Sequence, residues 1–115
     1  MDVQSIELTR LVDRVVELAA PEKVVLFGSR ARGRSRKDSD VDLLVVAETG
    51  GNSKRAAFSI RAALSWTSGL DLIVRSPRQL AERLRLGDPF FTDIMRTGRT
   101  LYEKPRARMG GQGRG

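Results

Sequence analysis

Cysteine and histidine are both missing from the 115 residues of this chain. Without them there can be no disulfide, no Cys/His zinc site, no thiol nucleophile and no histidine-dependent triad or general base. Any metal must be held by carboxylate, hydroxyl or carbonyl oxygen, which selects a hard cation such as magnesium, manganese or calcium. Long apolar runs are missing too, since none approaches the roughly 20 residues needed to span a bilayer. Nor does Met1-Asp2-Val3-Gln4 open a signal peptide. The expectation is a soluble, cytoplasmic protein with no membrane association. With 40% hydrophobic and 30% charged residues, the chain has enough apolar content for one small domain with a real core.

The net charge is +7, but it is unevenly spread. Residues 30–37 carry five positive charges and no negative one, and the segment 104–115 carries four more. Outside these nine, 12 basic residues face 14 acidic ones, so the remainder is slightly acidic. This is a near-neutral domain (residues 1–103) with one basic loop and one basic tail (residues 104–115). A local phosphate site accounts for the loop as well as a nucleic-acid surface does. Nucleic-acid contact is left only to the tail. The tail is Gly- and Arg-rich without apolar periodicity, and disorder is expected there.

Hydrophobic periodicity divides the domain. Ser5 to Ala20 has helical spacing and is stopped by Pro21. Lys23–Phe27 and Val41–Ala47 read as buried strands, the first ending abruptly at Gly28. Ser53 is a candidate cap for a helix over Lys54–Trp66. Gly69–Val74 reads as a third strand. Ser76-Pro77 and Asp88-Pro89 each pair a capping residue with proline at the first helical position. They open helices running to about Leu86 and Arg96, and Thr100–Tyr102 closes the domain as a short strand. The order implies an α/β (α+β) domain with a small mixed sheet flanked by helices. Phe27, Phe58, Trp66, Phe90 and Phe91 are expected in core or interface packing, and Phe90-Phe91 with Ile94 is a candidate partner-facing patch.

The stretch with chemical content is Gly28-Ser29, ten residues, then Asp40-Val41-Asp42. Glycine at a strand end lets backbone amides approach a ligand closely. Ser29 adds a hydroxyl, and a helix starting at Arg30-Ala31-Arg32 would point its anion-binding end at the same place. Asp40 and Asp42, two apart on a strand, project to one face, where like charges repel unless a cation lies between them. Asp71 joins them if the third strand pairs beside the second. Three carboxylates with phosphate oxygens and water suit octahedral magnesium, and two such ions can clamp the attacking and leaving oxygens of an in-line displacement.

Gly28-Ser29, Asp40-Val41-Asp42 and Asp71 together resemble the motif of the DNA polymerase beta-like nucleotidyltransferase superfamily. Within it, the segment LFGSRARGRSRKDSDVDLLVV is similar to the minimal nucleotidyltransferases (MNT proteins), often paired with HEPN-domain proteins as toxin–antitoxin modules. The similarity extends over roughly residues 8 to 103, including Ile94 to Glu103. It implies the polymerase beta-like fold, with Gly28 and Ser29 at the β- and γ-phosphates of ATP. Asp40 and Asp42 would hold two magnesium ions, and Asp71 would bind the catalytic ion and accept the proton of the attacking hydroxyl. Arg30 and Arg32 are placed to steady the triphosphate. The activity implied is transfer of AMP to a tyrosine of a HEPN toxin, which makes the chain the antitoxin of a type VII-like module. Two alternatives stay open: an antitoxin that neutralises its partner by binding alone, and a small-molecule nucleotidyltransferase of the aminoglycoside type.

Overall fold

A computed structural model describes residues 3–28, 31, 40–66 and 69–105, with side chains from residue 6 onward. Helix α1 (Val3–Ala19) leads into strand β1 (Lys23–Phe27), then β2 (Val41–Val46) and α2 (Ser53–Ala63). Strand β3 (Leu70–Arg75), α3 (Pro77–Arg85), α4 (Pro89–Thr97) and β4 (Arg99–Glu103) follow. The four strands form one sheet in the order β3-β2-β1-β4. β1 runs antiparallel to both β2 and β4, whereas β2 and β3 are parallel. The sheet is therefore mixed, as expected. Among the described residues no helix is long and apolar enough to cross a membrane.

Strand alternation sends side chains to two faces, and each face carries its own core. Val24, Leu26, Val41, Leu43 and Val45 pack against α1 and α2 through Leu11, Val12, Val15, Ile60 and Leu64. Val25, Leu44 and Val46 pack on the other face with Leu80 of α3 and Phe91 and Ile94 of α4. β2 lies between two neighbours, and every residue in it but one is buried; the exception is Asp42. A buried leucine or valine contributes about 1.5–3 kcal/mol, so the apolar majority of β2 outweighs the cost of one carboxylate.

Helix starts follow capping chemistry, with one correction. Ser53 does not cap α2. Gly50 and Gly51, both at positive φ, turn the chain so that the Asn52 side chain accepts the Arg55 N–H at 3.0 Å. Ser53 is the first helical residue and donates its hydroxyl to Gln79 at 2.8 Å. α2 also stops at Ala63, short of Trp66, because Leu64 turns extended while remaining buried among the residues of the α1 face. α3 starts with a full capping box: Ser76 Oγ accepts from the Gln79 N–H, and Gln79 Oε1 accepts from the Ser76 N–H. Asp88 caps α4 by accepting from the N–H groups of Phe90 and Phe91.

Two expectations about aromatics are revised. Phe58 is 73% exposed, on the outer side of α2, not in the core. Phe91 and Ile94 are core residues and do not face outward, because they sit on the stripe of α4 that meets β1 and β2; Phe90 alone of that trio is exposed.

The capping box gives a direct test. Ser76→Ala is expected to cost about 1 kcal/mol, lowering the melting temperature by about 4–8 °C for a domain of this size. A circular-dichroism melt identical to wild type would show that the start of α3 is held by other contacts.

Candidate active site

Parallel pairing of β2 with β3 places Asp42 directly beside Asp71. Antiparallel pairing with β1 places Phe27 on its other side. Residues opposite one another across a sheet share a face, so Asp71, Asp42 and Phe27 form a row on the α3/α4 side. Asp40, two residues before Asp42, belongs to the same face. Asp40 and Asp71 are exposed and Asp42 is partly buried, so the site opens at the end of the sheet where β1 finishes and β2 and β3 begin. Asp71 and Asp42 are thus neighbours through the strand register, and Asp40, just ahead of β2, is close enough for its charge to act on Asp42.

Asp42 is held above the usual carboxylate range, first by burial and then by the negative charges of Asp71 and Asp40. Its two acidic neighbours are thus close enough to be felt. Among the described residues, no three carboxylates stand together in a ready-made metal cage. Magnesium does not need one: it keeps several waters and takes one or two carboxylates along with substrate phosphate oxygens. An all-oxygen donor set with unrelieved like-charge crowding fits such an ion.

Two glycines make room for these carboxylates. Gly28 has φ +79°, which side chains rarely tolerate, and a Cβ there would run into the Asp42 carboxylate. Gly69 is different, since its φ lies outside the left-handed region; what demands glycine is space, because a Cβ would overlap the Asp40 carboxylate. The Gly69 carbonyl accepts from the Val41 N–H at 3.0 Å and from the Trp66 indole N–H at 3.3 Å. Arg61 of α2 in turn donates to the Trp66 carbonyl at 3.2 Å. A brace from α2 through Trp66 to Gly69 therefore fixes the floor beneath Asp40. The sequence reading missed Gly69, whose signal was a glycine just before a strand, level with the first aspartate once β2 and β3 are paired. Ser29, Arg30 and Arg32, with the helix expected there, lie outside the described residues. Of the expected phosphate cradle, Gly28 alone is among the described residues with a candidate role.

Two measurements follow from this crowding. Gly69→Ala must displace the Asp40 carboxylate, and Mn2+ affinity followed by electron paramagnetic resonance is expected to fall roughly tenfold or more, the scale seen when the support of a metal ligand is lost. Unchanged affinity would show that Asp40 has no such role. The second concerns pH. A carboxyl whose folded value exceeds the ordinary 3.8 holds its proton more tightly folded than unfolded. Stability therefore falls as pH rises from about the unfolded value through the raised one, and remains lower at neutral pH. In EDTA at pH 7, Asp42→Asn is expected to melt above wild type, with the difference closing in acid; equal melting temperatures at pH 7 would contradict the crowding.

The model of the family described as "Nucleotidyltransferase domain" matches residues 8–98. No curated protein matches the chain. Among solved structures, a candidate nucleotidyltransferase from Sulfolobus solfataricus superposes with a TM-score of 0.57 at 24% identity, over 86% of this chain and 83% of that one. A toxin–antitoxin structure with AMP-PNP superposes with a TM-score of 0.50 at 20% identity, over 84% of this chain and 73% of that one. At these identities the two likenesses speak to the fold, which is the polymerase beta-like one. The family match covers most of the chain and includes Gly28 and all three aspartates: the chain belongs to the nucleotidyltransferase-domain family, in keeping with its resemblance to the minimal nucleotidyltransferases.

Proposed function

We propose that the chain transfers AMP from ATP to a hydroxyl of a partner protein, a tyrosine of a HEPN-domain toxin, and thereby acts as the antitoxin of the pair in the cytoplasm. The observation that carries this reading is the Asp42–Asp71 pairing, with Asp40 on the same face, beside Gly28, whose missing Cβ leaves room for the Asp42 carboxylate. The toxin–antitoxin relative captured with AMP-PNP supports both the nucleotide and the type of partner.

In this reading the bare backbone at Gly28, with Ser29, receives the β- and γ-phosphates, and Arg30 and Arg32 steady them. Asp40, Asp42 and Asp71 would hold magnesium, which would supply neutralisation of the triphosphate and of the charge developing on the leaving group. The acceptor oxygen attacks the α-phosphorus, the bond from that phosphorus to the bridging oxygen of the β-phosphate breaks, and pyrophosphate departs. Asp71, exposed on β3, accepts the hydroxyl proton. Catalysis is then mostly positioning and charge neutralisation, for which a protein without histidine is fully equipped. Residues 1–103 carry this chemistry, and the basic tail 104–115 stands apart from it.

The test combines the purified chain, magnesium, ATP labelled at the α-phosphate and the co-expressed partner. Label is expected on a partner tyrosine, and Asp40→Asn is expected to reduce its transfer roughly a hundredfold or more, the order seen when a preorganised charge-stabilising group is removed. Neutralisation of the partner that survives both Asp40→Asn and Asp71→Asn would point to occlusion instead. Turnover driven by an aminoglycoside with no protein acceptor would point to a small-molecule enzyme.

A further inference from the structure

The row of side chains on the α3/α4 face does not end at the carboxylates. Next to Asp42 across the β1–β2 pairing stands Phe27, and against Phe27 stands Phe90, their rings edge to face at 5.9 Å and 88°. Phe90 also meets Phe91 edge to face at 5.1 Å. The three aromatics divide their work unequally. Phe91 is 5% exposed, sits in the core and lies under the Arg75 guanidinium at 5.6 Å. Phe27 packs partly into the same core. Phe90 sits off the buried stripe of α4 and leaves 48% of its surface in solvent.

The position of that exposed ring is well fixed. Asp88 accepts the Phe90 N–H at 2.9 Å, holding the first turn of α4, and the two neighbouring rings support it from below. A rigid, half-exposed aromatic costs little conformational entropy when it takes up a second flat ring, and nearly half of the Phe90 surface is open to such a partner. Strands in a sheet are spaced about 4.8 Å apart. From Asp42 the path to Phe90 is one strand step to Phe27 and then one ring contact of 5.9 Å, which sets the exposed ring on the same side of the sheet as the carboxylates.

We infer that Phe90, braced by Phe27, is the stacking platform for the nucleobase of the nucleoside triphosphate. This rests on the reading of the carboxylate row as a triphosphate site. Stacking on a base is sequence-tolerant, because every base has a π-face, and removing an aromatic platform costs roughly fivefold to more than a hundredfold in affinity.

Calorimetry with two probes, MgATP and magnesium tripolyphosphate, separates the base from the phosphates. Phe90→Ala is expected to weaken MgATP binding by about tenfold or more while leaving tripolyphosphate binding within about twofold of wild type. Phe90→Trp is expected to restore MgATP affinity. MgATP binding unaffected by Phe90→Ala, or both probes weakened equally, would overturn the inference. So would a loss seen only in the apparent KM for the protein acceptor, which would assign the ring to the acceptor. If wild type binds tripolyphosphate as tightly as ATP, the stacking role fails and the triphosphate site stands; if it binds neither, both fail.

Discussion

The whole arrangement depends on negative charge being placed where the backbone leaves it no escape. Asp42 sits in a strand whose other five residues are buried, with Asp71 fixed beside it by the parallel register. Pleating commits Asp40 to the same face. None of these positions can be relieved by shifting a strand, because a one-residue slip would exchange the side chains of β2 between the two differently shaped cores and carry Asp42 into the larger one. The repulsion is thus built into the hydrophobic fold, and burial together with the two acidic neighbours keeps the Asp42 carboxyl above its ordinary range.

That constraint explains features that a stability argument alone would not. Among the described residues, Gly28 and Gly69 are the two places where a carboxylate needs the room of a missing Cβ, one beneath Asp42 and one beneath Asp40. The Trp66 indole donates its one polar hydrogen to the Gly69 carbonyl and so holds that floor, while Arg61 anchors the Trp66 backbone carbonyl. The two faces of the sheet divide the labour. The α1/α2 face is closed by the larger core. The α3/α4 face carries a smaller core and opens at the end where the carboxylates stand.

Much of this was legible in the sequence, for identifiable reasons. β1 was placed at its observed limits because Lys23–Phe27 is a β-branched run cut off by glycine. The α3 and α4 starts were readable because Ser-Pro and Asp-Pro combine a cap with a fixed φ. The aspartate row followed from alternation plus one assumption, that β3 lies beside β2, which the topology bears out. Other features depended on packing that no local pattern encodes. Asn52 rather than Ser53 caps α2 because of how Gly50 and Gly51 turn the chain. Trp66 reads as helical by composition, but Leu64 leaves the helix first. Phe58 reads as core or interface by type, and the core is excluded because it lies on the far side of a helix whose inward side is filled by Ile60 and alanines. Gly69 became visible only once the parallel register set it against Asp40.

The central claim is that these three aspartates jointly attract divalent ions beside a nucleotide. Paramagnetic broadening in an NMR spectrum tests it most directly, using substoichiometric Mn2+ with AMP-PNP. Amide resonances of Gly28, Val41, Asp42, Leu43, Leu70 and Asp71 are expected to broaden first and together. Broadening centred instead on acidic residues elsewhere, such as Glu82 or Glu17, with the β2–β3 pair unaffected, would contradict the account.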